Sequence, residues 1–406
     1  MPLALLALAI GAFGIGTTEF AVMGLLPDMA AGFGVSIPLA GYATTLYALG
    51  VVIGAPLMTA LGTRFTRKQM LMLLMGLFIV GNLLTGIAPN FGIMLAGRIV
   101  SAFTHGAFFG IGALVAADLV APQKRASAIS LMFSGLTIAN VVGVPAGTML
   151  SQQFGWRTTF YAITALGVIG LLGIVKLVPA QRARAASPIG SELAVFRNPQ
   201  VGLAMLMTIL GFGGVFAAVT YLASMMTEVT GFAPSSVIWL TAIFGLGMVG
   251  GNLVSGRFTD RAMMPMLYVS LTGLALSLAA FSLTAHNKIA ATLTIALIGV
   301  FGFATVPPLQ KRVMDQAAAA PTLASAGNIA AFNFGNALAS WLGGIVISAG
   351  LGYTAPNWVG ALMTVAALVV AIFASALERR QTGRGQVVAT GLPGAIAGEP
   401  VPAAQG

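Results

Sequence analysis

The stretch Met70–Ala88, which reads MLMLLMGLFIVGNLLTGIA, decides the fold class. Its 19 residues carry no charge, and roughly 20 apolar residues in an α-helix span the hydrocarbon core of a bilayer. A strand of a membrane β-barrel would instead alternate between apolar and polar residues over about ten positions. The stretch therefore predicts a membrane-spanning helix.

The composition of the whole chain agrees with this stretch. Only 7% of the 406 residues are charged and 58% are hydrophobic, whereas a soluble domain has about 25% charged residues. Such a chain lacks the polar surface of a soluble enzyme, a disordered protein or a nucleic-acid-binding protein. It has no cysteine and only two histidines, so we expect neither a metal site nor a cofactor.

Twelve apolar segments of spanning length follow one another along the chain. We expect the first to be a retained helix rather than a cleaved signal, because it lacks a basic leader and contains Glu19. The predicted fold is an all-α membrane protein of twelve transmembrane helices. The segments are residues 4–26, 40–61, 70–88, 91–115, 127–150, 158–178, 201–223, 235–255, 265–284, 289–309, 322–349 and 357–377.

Lysine and arginine fall almost entirely on one side of these segments. With the N-terminus inside, 16 of the 19 basic residues lie on the inner side, and the outer loops hold only Arg157 and Lys288. Cytoplasmic loops of membrane proteins carry the excess of Lys and Arg. We therefore expect a multi-pass protein of the inner (plasma) membrane with both termini in the cytoplasm.

An internal repeat divides the spans into two groups of six. A shift of 193 residues lays Arg64–Lys68 (RFTRK) on Arg257–Arg261 (RFTDR) and Asn140 on Asn333. Parallel repeats of this kind occur in transporters whose halves move about a central site. We expect bundles at 1–178 and 201–378, a cytoplasmic linker at 179–200 and a disordered tail at 379–406.

Two ionisable residues stand alone within apolar spans. Glu19 and Arg98 lie about 8 and 7 residues from the outer ends of their helices, or roughly 12 and 10 Å. At this common depth an ion pair between them is possible. Removal from water favours the neutral form of a carboxyl group, so Glu19 is a candidate proton carrier, and a pair that breaks on protonation would couple proton and substrate. The alternative is a permanent structural pair.

Further polar residues lie in the predicted membrane interior. His105 is seven residues from Arg98, and therefore on the same helix face. It relays protons, contacts substrate, or is a core histidine. Asn140, Asn333 and Asn336 either line a substrate cavity or join helices. The repeat favours the cavity.

The fifth span is interrupted by small residues and a proline. Gly143 and Gly147 permit close approach of another backbone, and Pro145 removes a hydrogen bond and favours a bend. We expect this helix to pack tightly against the opposite half. No phosphate-binding loop or hydrolase motif occurs in the sequence, so the chain is not expected to be an enzyme.

Together these motifs resemble the major facilitator superfamily over about residues 1–378. Within it the chain is similar to the twelve-spanner drug:proton antiporters and their arabinose-efflux-permease-like branch. The resemblance rests on Gly14–Phe20 (GIGTTEF), Gly24–Pro27 (GLLP), His105–Gly110 (HGAFFG), Gly143–Gly147 (GVPAG) and Gly155–Arg157 (GWR).

The resemblance assigns roles to several residues. Arg98 matches an arginine implicated in proton handling, and Gly143, Pro145 and Gly147 resemble a signature associated with export. The basic residues Arg64, Arg67 and Lys68, with Arg257 and Arg261 in the second copy, match the gating loop. Thr63 stands where the family usually has an Asp, so the sequence does not predict the family's usual latch.

We therefore expect a secondary transporter that exports a small organic compound, a sugar or a drug, by proton antiport through alternating access. Its expected partners are the substrate, protons and the lipid bilayer, with no nucleic acid, and we expect a monomer. A proton-independent facilitator or a sugar importer is an alternative of the same class. A membrane sensor that transports nothing is an alternative of another class.

Overall fold

A computed structural model describes residues 3–62, 64–179, 193–318 and 321–390. Every regular element within these ranges is a helix, so the predicted all-α membrane fold is confirmed. Eleven helical segments of the described residues are long and apolar enough to cross a membrane, one fewer than predicted.

The twelfth span is found within the segment Ser236–Thr284, which holds 49 residues. A straight helix of this length would measure about 74 Å, more than twice the ~30 Å of the hydrocarbon core. The backbone at Ala262 leaves the helical region, with φ −151° and ψ 66°, and Pro265 follows. The segment is therefore two spans that meet at Ala262, and the described chain has twelve spans.

Spans are numbered below in chain order. Spans 1 to 6 are Leu3–Phe20 with Val22–Phe33, Ile37–Ala40 with Tyr42–Gly62, Arg67–Ile87, Phe91–Ala102 with His105–Asp118, Arg125–Ile138 with Ala139–Gly143 and Val144–Phe154, and Trp156–Leu177. Spans 7 to 12 are Pro199–Val219 with Leu222–Glu228, the two parts of Ser236–Thr284, Lys288–Ala304 with Val306–Gln316, Pro321–Ser348 and Ala355–Thr390. The short 3₁₀ turns Pro122–Lys124 and Leu193–Arg197 precede spans 5 and 7.

Two of the predicted segments, the linker and the tail, lie partly outside the described residues. Residues 180–192, most of the expected linker, lie outside the described residues, as do residues 391–406. Span 12 continues as a helix to Thr390, so the expected disordered tail at 379–406 begins as helix. No proline interrupts the chain before Pro393, which removes the usual cause of an earlier end.

Local signals in the sequence place several helix starts. Span 3 begins with a capping box, in which the Thr66 hydroxyl accepts a hydrogen bond from the Gln69 amide and the Gln69 side chain accepts one from the Thr66 amide. Asn90 and Asn287 cap spans 4 and 10 with their side-chain oxygens. These caps satisfy backbone groups at the membrane boundary, where loops are only a few residues long.

Each half has its own apolar core, and the two cores meet along the seam between the halves. Span 2 packs against span 11, and span 5 against span 8. We call the face with connections 34–36, 88–90, 229–235, 285–287 and 349–354 the distal face, and the face with connections 63–66 and 119–124 the proximal face. On the distal face Gln152 donates to the Pro234 carbonyl across the seam at 2.7 Å.

Candidate functional site

The carboxyl group of Glu19 lies near the middle of span 1, inside the first half. Its helix ends at Phe20 and resumes at Val22. The side chain is only 9% exposed, and its Oε2 atom lies 3.8 Å from Nδ1 of His105. The acid predicted within the membrane is therefore buried in the bundle and faces a second ionisable group.

Arg98, in span 4, is fully buried and held by backbone oxygens. Its Nη1 donates to the Thr18 carbonyl at 2.8 Å and to the Thr18 hydroxyl at 3.1 Å, and its Nε donates to the Ala43 carbonyl at 3.2 Å. The guanidinium Cζ lies 4.3 Å from the centre of the Tyr47 ring, in cation–π contact. One donor, Nη2, is buried without a hydrogen-bond partner, so the cation retains capacity for a further contact.

The predicted ion pair between Glu19 and Arg98 is not formed in this structure. Among the described residues, no salt bridge joins the two side chains, and the Glu19 carboxyl lies beside His105 instead. The reason is local, because Thr18, the residue before Glu19, presents both its carbonyl and its hydroxyl to the guanidinium. Arg98 therefore binds the backbone of span 1 beside Glu19 rather than the carboxylate itself.

His105 and Tyr47 connect the acid to the cation. The Tyr47 hydroxyl lies 3.3 Å from Nδ1 of His105, the same ring nitrogen that faces Glu19. Tyr47 also lies under Arg98, so Arg98 and His105 face the same way, as their spacing predicts. Spans 1, 2 and 4 thus bring Glu19, Tyr47, Arg98 and His105 into one buried cluster.

Sequence reasoning missed two members of this site, Tyr47 and Thr18. The Thr18 hydroxyl donates to Oδ1 of Asn82 at 2.5 Å while accepting from Arg98, which ties span 3 to the cluster. Their residue types could have identified them as hydrogen-bonded positions, since buried hydroxyl groups in membranes require partners. Their partners depend on helix rotation, which the sequence does not give.

The two asparagines related by the repeat make the same local contact. Nδ2 of Asn140 donates to the Leu136 carbonyl, and Nδ2 of Asn333 donates to the Ile329 carbonyl, both at 3.0 Å. In each, Oδ1 is buried without a partner, as it is in Asn336. Unpaired buried acceptors are costly, so these positions can accept hydrogen bonds from a bound molecule.

The asparagines and the charged cluster remain separate in this structure. Among the described residues, no hydrogen bond or ion pair joins Asn140, Asn333 or Asn336 to Glu19, Arg98 or His105. Asn333 and Asn336 lie one turn apart on span 11, in the other half. The predicted substrate-cavity residues are therefore buried and polar, but they do not form one connected group.

Phenylalanines from both halves meet beside Glu19. The ring of Phe20 lies 5.6 Å from Phe216 and 6.3 Å from Phe303, while Phe212 lies 5.2 Å from Phe303 and 5.0 Å from Phe332. Phe20 thereby inserts from span 1 into the core of the second half. This aromatic cluster joins spans 1, 7, 10 and 11 at the seam and supplies an apolar wall beside the ionisable cluster.

The glycines of span 5 pack within their own half, while the same helix meets the opposite half at another residue. A Cβ atom on Gly143 would lie 2.3 Å from the Thr17 hydroxyl, and one on Gly147 would lie 2.9 Å from Thr159. Both neighbours belong to the same half, so these two glycines face their own half, although span 5 packs against span 8 of the opposite half as predicted. The contact across the seam is made by Gly245 of span 8, where a Cβ atom would lie 2.4 Å from the Asn140 carbonyl oxygen.

The helix of span 5 is distorted just before its proline. Residues Ala139–Gly143, just before Pro145, form a π-helical turn. Such turns are rare and occur frequently at functional sites. Here the turn contains Asn140, so the helix is distorted at the position that meets Gly245.

Two of the five predicted gating residues are attached to their own half. Arg67 forms an ion pair with Asp118 at the end of span 4, and Lys68 donates to the Val175 carbonyl of span 6 at 2.7 Å. Arg64, Arg257 and Arg261 are exposed at the proximal face. Thr63 lies outside the described residues.

The second half has a proximal ion pair that the sequence analysis did not single out. The buried Arg312 of span 10 donates to Glu378 at 3.0 Å and to Gln200 at 3.2 Å. Each half therefore joins the end of its fourth helix to a neighbouring helix by charge, Asp118 in the first half and Arg312 in the second.

Comparison with known proteins places this architecture in a family. A sequence profile of the Major Facilitator Superfamily matches residues 8–331. The chain belongs to the major facilitator superfamily. It is 45% identical over 378 residues to the inner membrane transport protein YdhP of Escherichia coli K12, covering 93% of this chain and 97% of that protein.

Two further relatives cover nearly the whole chain. The putative transporter AraJ of E. coli K12 is 35% identical, covering 96% of this chain and 99% of that protein. The chloramphenicol resistance protein of Streptomyces lividans is 33% identical, covering 91% and 96%. The predicted resemblance to this superfamily and to its arabinose-efflux-permease-like branch is confirmed.

Solved structures agree on the fold. The nucleoside transporter NupG superposes with a TM-score of 0.75 at 13% identity, over 92% of this chain and 99% of that one. The D-xylose–proton symporter superposes with a TM-score of 0.72 at 16% identity, over 91% and 96%. By its superfamily and its relatives, the chain is a membrane transporter rather than an enzyme, and a multi-pass protein of the inner membrane.

Proposed function

We propose that this transporter exports a small organic compound, of the sugar or drug type, in exchange for protons. The observation that carries the proposal is the buried carboxyl of Glu19, 3.8 Å from His105 and without a salt bridge to Arg98 among the described residues. A carboxyl group so placed can exist with or without its proton, because neither form is fixed by a permanent cationic partner. The name of the chloramphenicol resistance relative supports export.

The cluster suggests how a proton on Glu19 would act on its neighbours. A neutral imidazole has one donor and one acceptor nitrogen. With a proton, Glu19 donates to Nδ1 of His105; without it, Nδ1 carries the hydrogen and donates to the carboxylate. The Tyr47 hydroxyl lies beside the same nitrogen, so it competes with Glu19 for it, as a donor when Nδ1 is unprotonated and as an acceptor when Nδ1 carries the hydrogen.

Transport then follows by alternating access. Protonation from the distal face, which we expect to be the outer face, removes the charge of Glu19 and rearranges the contacts among His105, Tyr47 and Arg98. The substrate would lie at the seam near the midplane, between the aromatic cluster and the unpaired oxygens of Asn140, Asn333 and Asn336. Deprotonation on the proximal side resets the carrier.

The substrate is found by a screen. Cells lacking their own exporters and expressing this chain are exposed to sugars and to antibiotics that include chloramphenicol. We expect lower internal levels of at least one compound than in cells with an empty vector. Unchanged levels across the whole panel would contradict export.

The role of Glu19 is then tested with that compound in proteoliposomes. Glu19→Gln should abolish transport driven by a pH gradient and spare counterflow, because counterflow requires no proton exchange. Glu228→Gln, at an exposed carboxylate of span 7, is the matched control and should leave both activities unchanged. Intact gradient-driven transport in Glu19→Gln would show that another group carries the proton.

A further inference from the structure

A long cleft lies between spans 2 and 11, away from the ionisable cluster. It consists of a cavity of about 390 Å³ at the distal end and an adjoining cavity of about 290 Å³. Both are lined by Tyr42, Thr45 and Trp341, which makes them one continuous space. Its two walls belong to different halves of the transporter.

The cleft opens sideways, toward the bilayer. Tyr42 is 37% exposed and Phe334 and Trp341 are each 43% exposed, although all three lie on membrane spans. Where a spanning helix faces outward, its exposed side chains meet lipid rather than water. The molecules that have direct access to this cleft are therefore those dissolved in the bilayer.

The chemistry of the walls changes with depth. The distal end carries the hydroxyl groups of Ser36, Tyr42 and Ser348. The deeper end is lined by aliphatic and aromatic side chains, among them Leu49 and Phe334. From Leu39 to Leu49 span 2 rises about 15 Å, roughly half of the hydrocarbon core, so the polar end lies toward one membrane surface and the apolar end toward the midplane.

We propose that this cleft is a binding site for one aliphatic chain of a bilayer lipid. The glycerol–ester region of the lipid would meet the hydroxyl groups at the distal end, and the chain would extend along Leu46, Leu49 and Leu338. None of the described lining residues is charged, so the site selects for the uncharged part of the lipid rather than for its headgroup charge.

Because the site lies between the two halves, a lipid bound there would affect transport. Because the walls are span 2 and span 11, a bound chain contacts both halves and stabilises the arrangement in which they meet on the distal face. Tyr221 adjoins the cleft from span 7, donating to the Ser340 carbonyl at 2.8 Å. This consequence rests on the proposed alternating access, whereas lipid binding itself does not.

The test uses a phospholipid that carries a photoreactive diazirine in its acyl chain. The full-length protein is reconstituted in phosphatidylethanolamine vesicles containing a trace of this probe, illuminated, and its labelled peptides are mapped by mass spectrometry. We expect labelling concentrated on the cleft residues of spans 2 and 11. Labelling no stronger there than on other lipid-facing positions would overturn the proposal.

Two matched pairs of variants sharpen the result. Leu49→Trp adds bulk to the deep end and should reduce cleft labelling several-fold, while Leu276→Trp, at a lipid-facing site that is 65% exposed, should not. Trp341→Ala removes part of the cleft wall and should also reduce cleft labelling. Trp358→Ala, at an indole that is 49% exposed, should not reduce it. Equal effects of the two variants within each pair would contradict a specific lipid-binding site.

Competition separates the lipid from the transported compound. Because unlabelled phosphatidylethanolamine already surrounds the probe in these vesicles, the added competitor is the exported compound, which should leave labelling of the cleft unchanged. If the compound alone displaces the probe, the cleft is a substrate entrance and the lipid proposal is wrong. Since labelling is measured without transport, its outcome is independent of whether Glu19 carries a proton.

Discussion

At the scale of single residues, the site depends on a shift of one position along span 1. Arg98 binds the carbonyl and hydroxyl of Thr18, and this leaves the next residue, Glu19, free to contact His105. The sequence identifies the intramembrane acid and base because their burial is expensive. It does not identify Thr18 or Tyr47 as their partners, because hydroxyls are common in spans and helix rotation decides which of them meet.

Replacement of Tyr47 by phenylalanine tests the connection within the cluster. Tyr47→Phe keeps the ring under Arg98 but removes the hydroxyl that contacts His105. Loss of such a buried hydrogen bond costs about 0.5–1.5 kcal/mol, so we expect a modest loss of thermal stability. We also expect a severalfold lower rate of transport driven by a pH gradient, with counterflow less affected.

The control for this change is Tyr161→Phe, which removes another hydroxyl within the first half, one that donates to the Gly86 carbonyl at 3.2 Å. Gradient-driven transport and counterflow should keep their normal ratio in this variant. If Tyr47→Phe also leaves the ratio unchanged, the Tyr47 hydroxyl has no part in proton coupling.

At the scale of helices, the positions of glycine and proline predict where a helix is distorted or closely packed better than they predict which helix it packs against. The proline in span 5 predicts a bend, and a π-helical turn is present just before it. The glycines Gly143 and Gly147 predict close packing, which occurs against spans 1 and 6, while the same helix meets the other half at Asn140. A small residue shows that a neighbour is near, whereas the identity of that neighbour depends on the packing of the whole bundle.

Gly245 provides the test of the seam between spans 5 and 8. In Gly245→Ala the new Cβ would lie 2.4 Å from the Asn140 carbonyl oxygen, so the helices must separate. Overpacking of this kind costs about 1–3 kcal/mol, and we expect a lower unfolding temperature and slower transport.

Gly250→Ala is the matched control on the same span, because a Cβ at this position meets nothing within 4 Å. Its unfolding temperature and transport rate should remain those of the natural protein. Equal behaviour of the two variants would show that the halves do not depend on close contact at Gly245.

At the scale of the whole molecule, hydropathy and the repeat predict the architecture almost completely. Twelve spans in two halves follow from segment length and from the match of Asn140 with Asn333. The exception is instructive, because the loop expected between spans 8 and 9 is a sharp turn at Ala262 within nearly continuous helix. Hydropathy gives the number of crossings but not whether the connection between them keeps helical hydrogen bonds.

Single-cysteine labelling tests this topology, and the chain suits it because it contains no cysteine of its own. A membrane-impermeant maleimide applied to intact cells should label His286→Cys on the distal face. It should label Gln69→Cys and Ala262→Cys on the proximal face only after the cells are made permeable. Labelling of Ala262→Cys in intact cells would contradict both the bend and the cytoplasmic orientation of the proximal face.

The central claim, exchange of substrate for protons at Glu19, is tested most directly by the pH inside proteoliposomes. The compound found in the screen is added outside vesicles that hold a trapped pH-sensitive dye, so that it moves inward down its gradient. Antiport predicts that protons leave and the lumen becomes more alkaline with the natural protein and with Glu228→Gln, but not with Glu19→Gln. An acidified lumen, an unchanged lumen, or the same alkalinisation in Glu19→Gln would contradict the account.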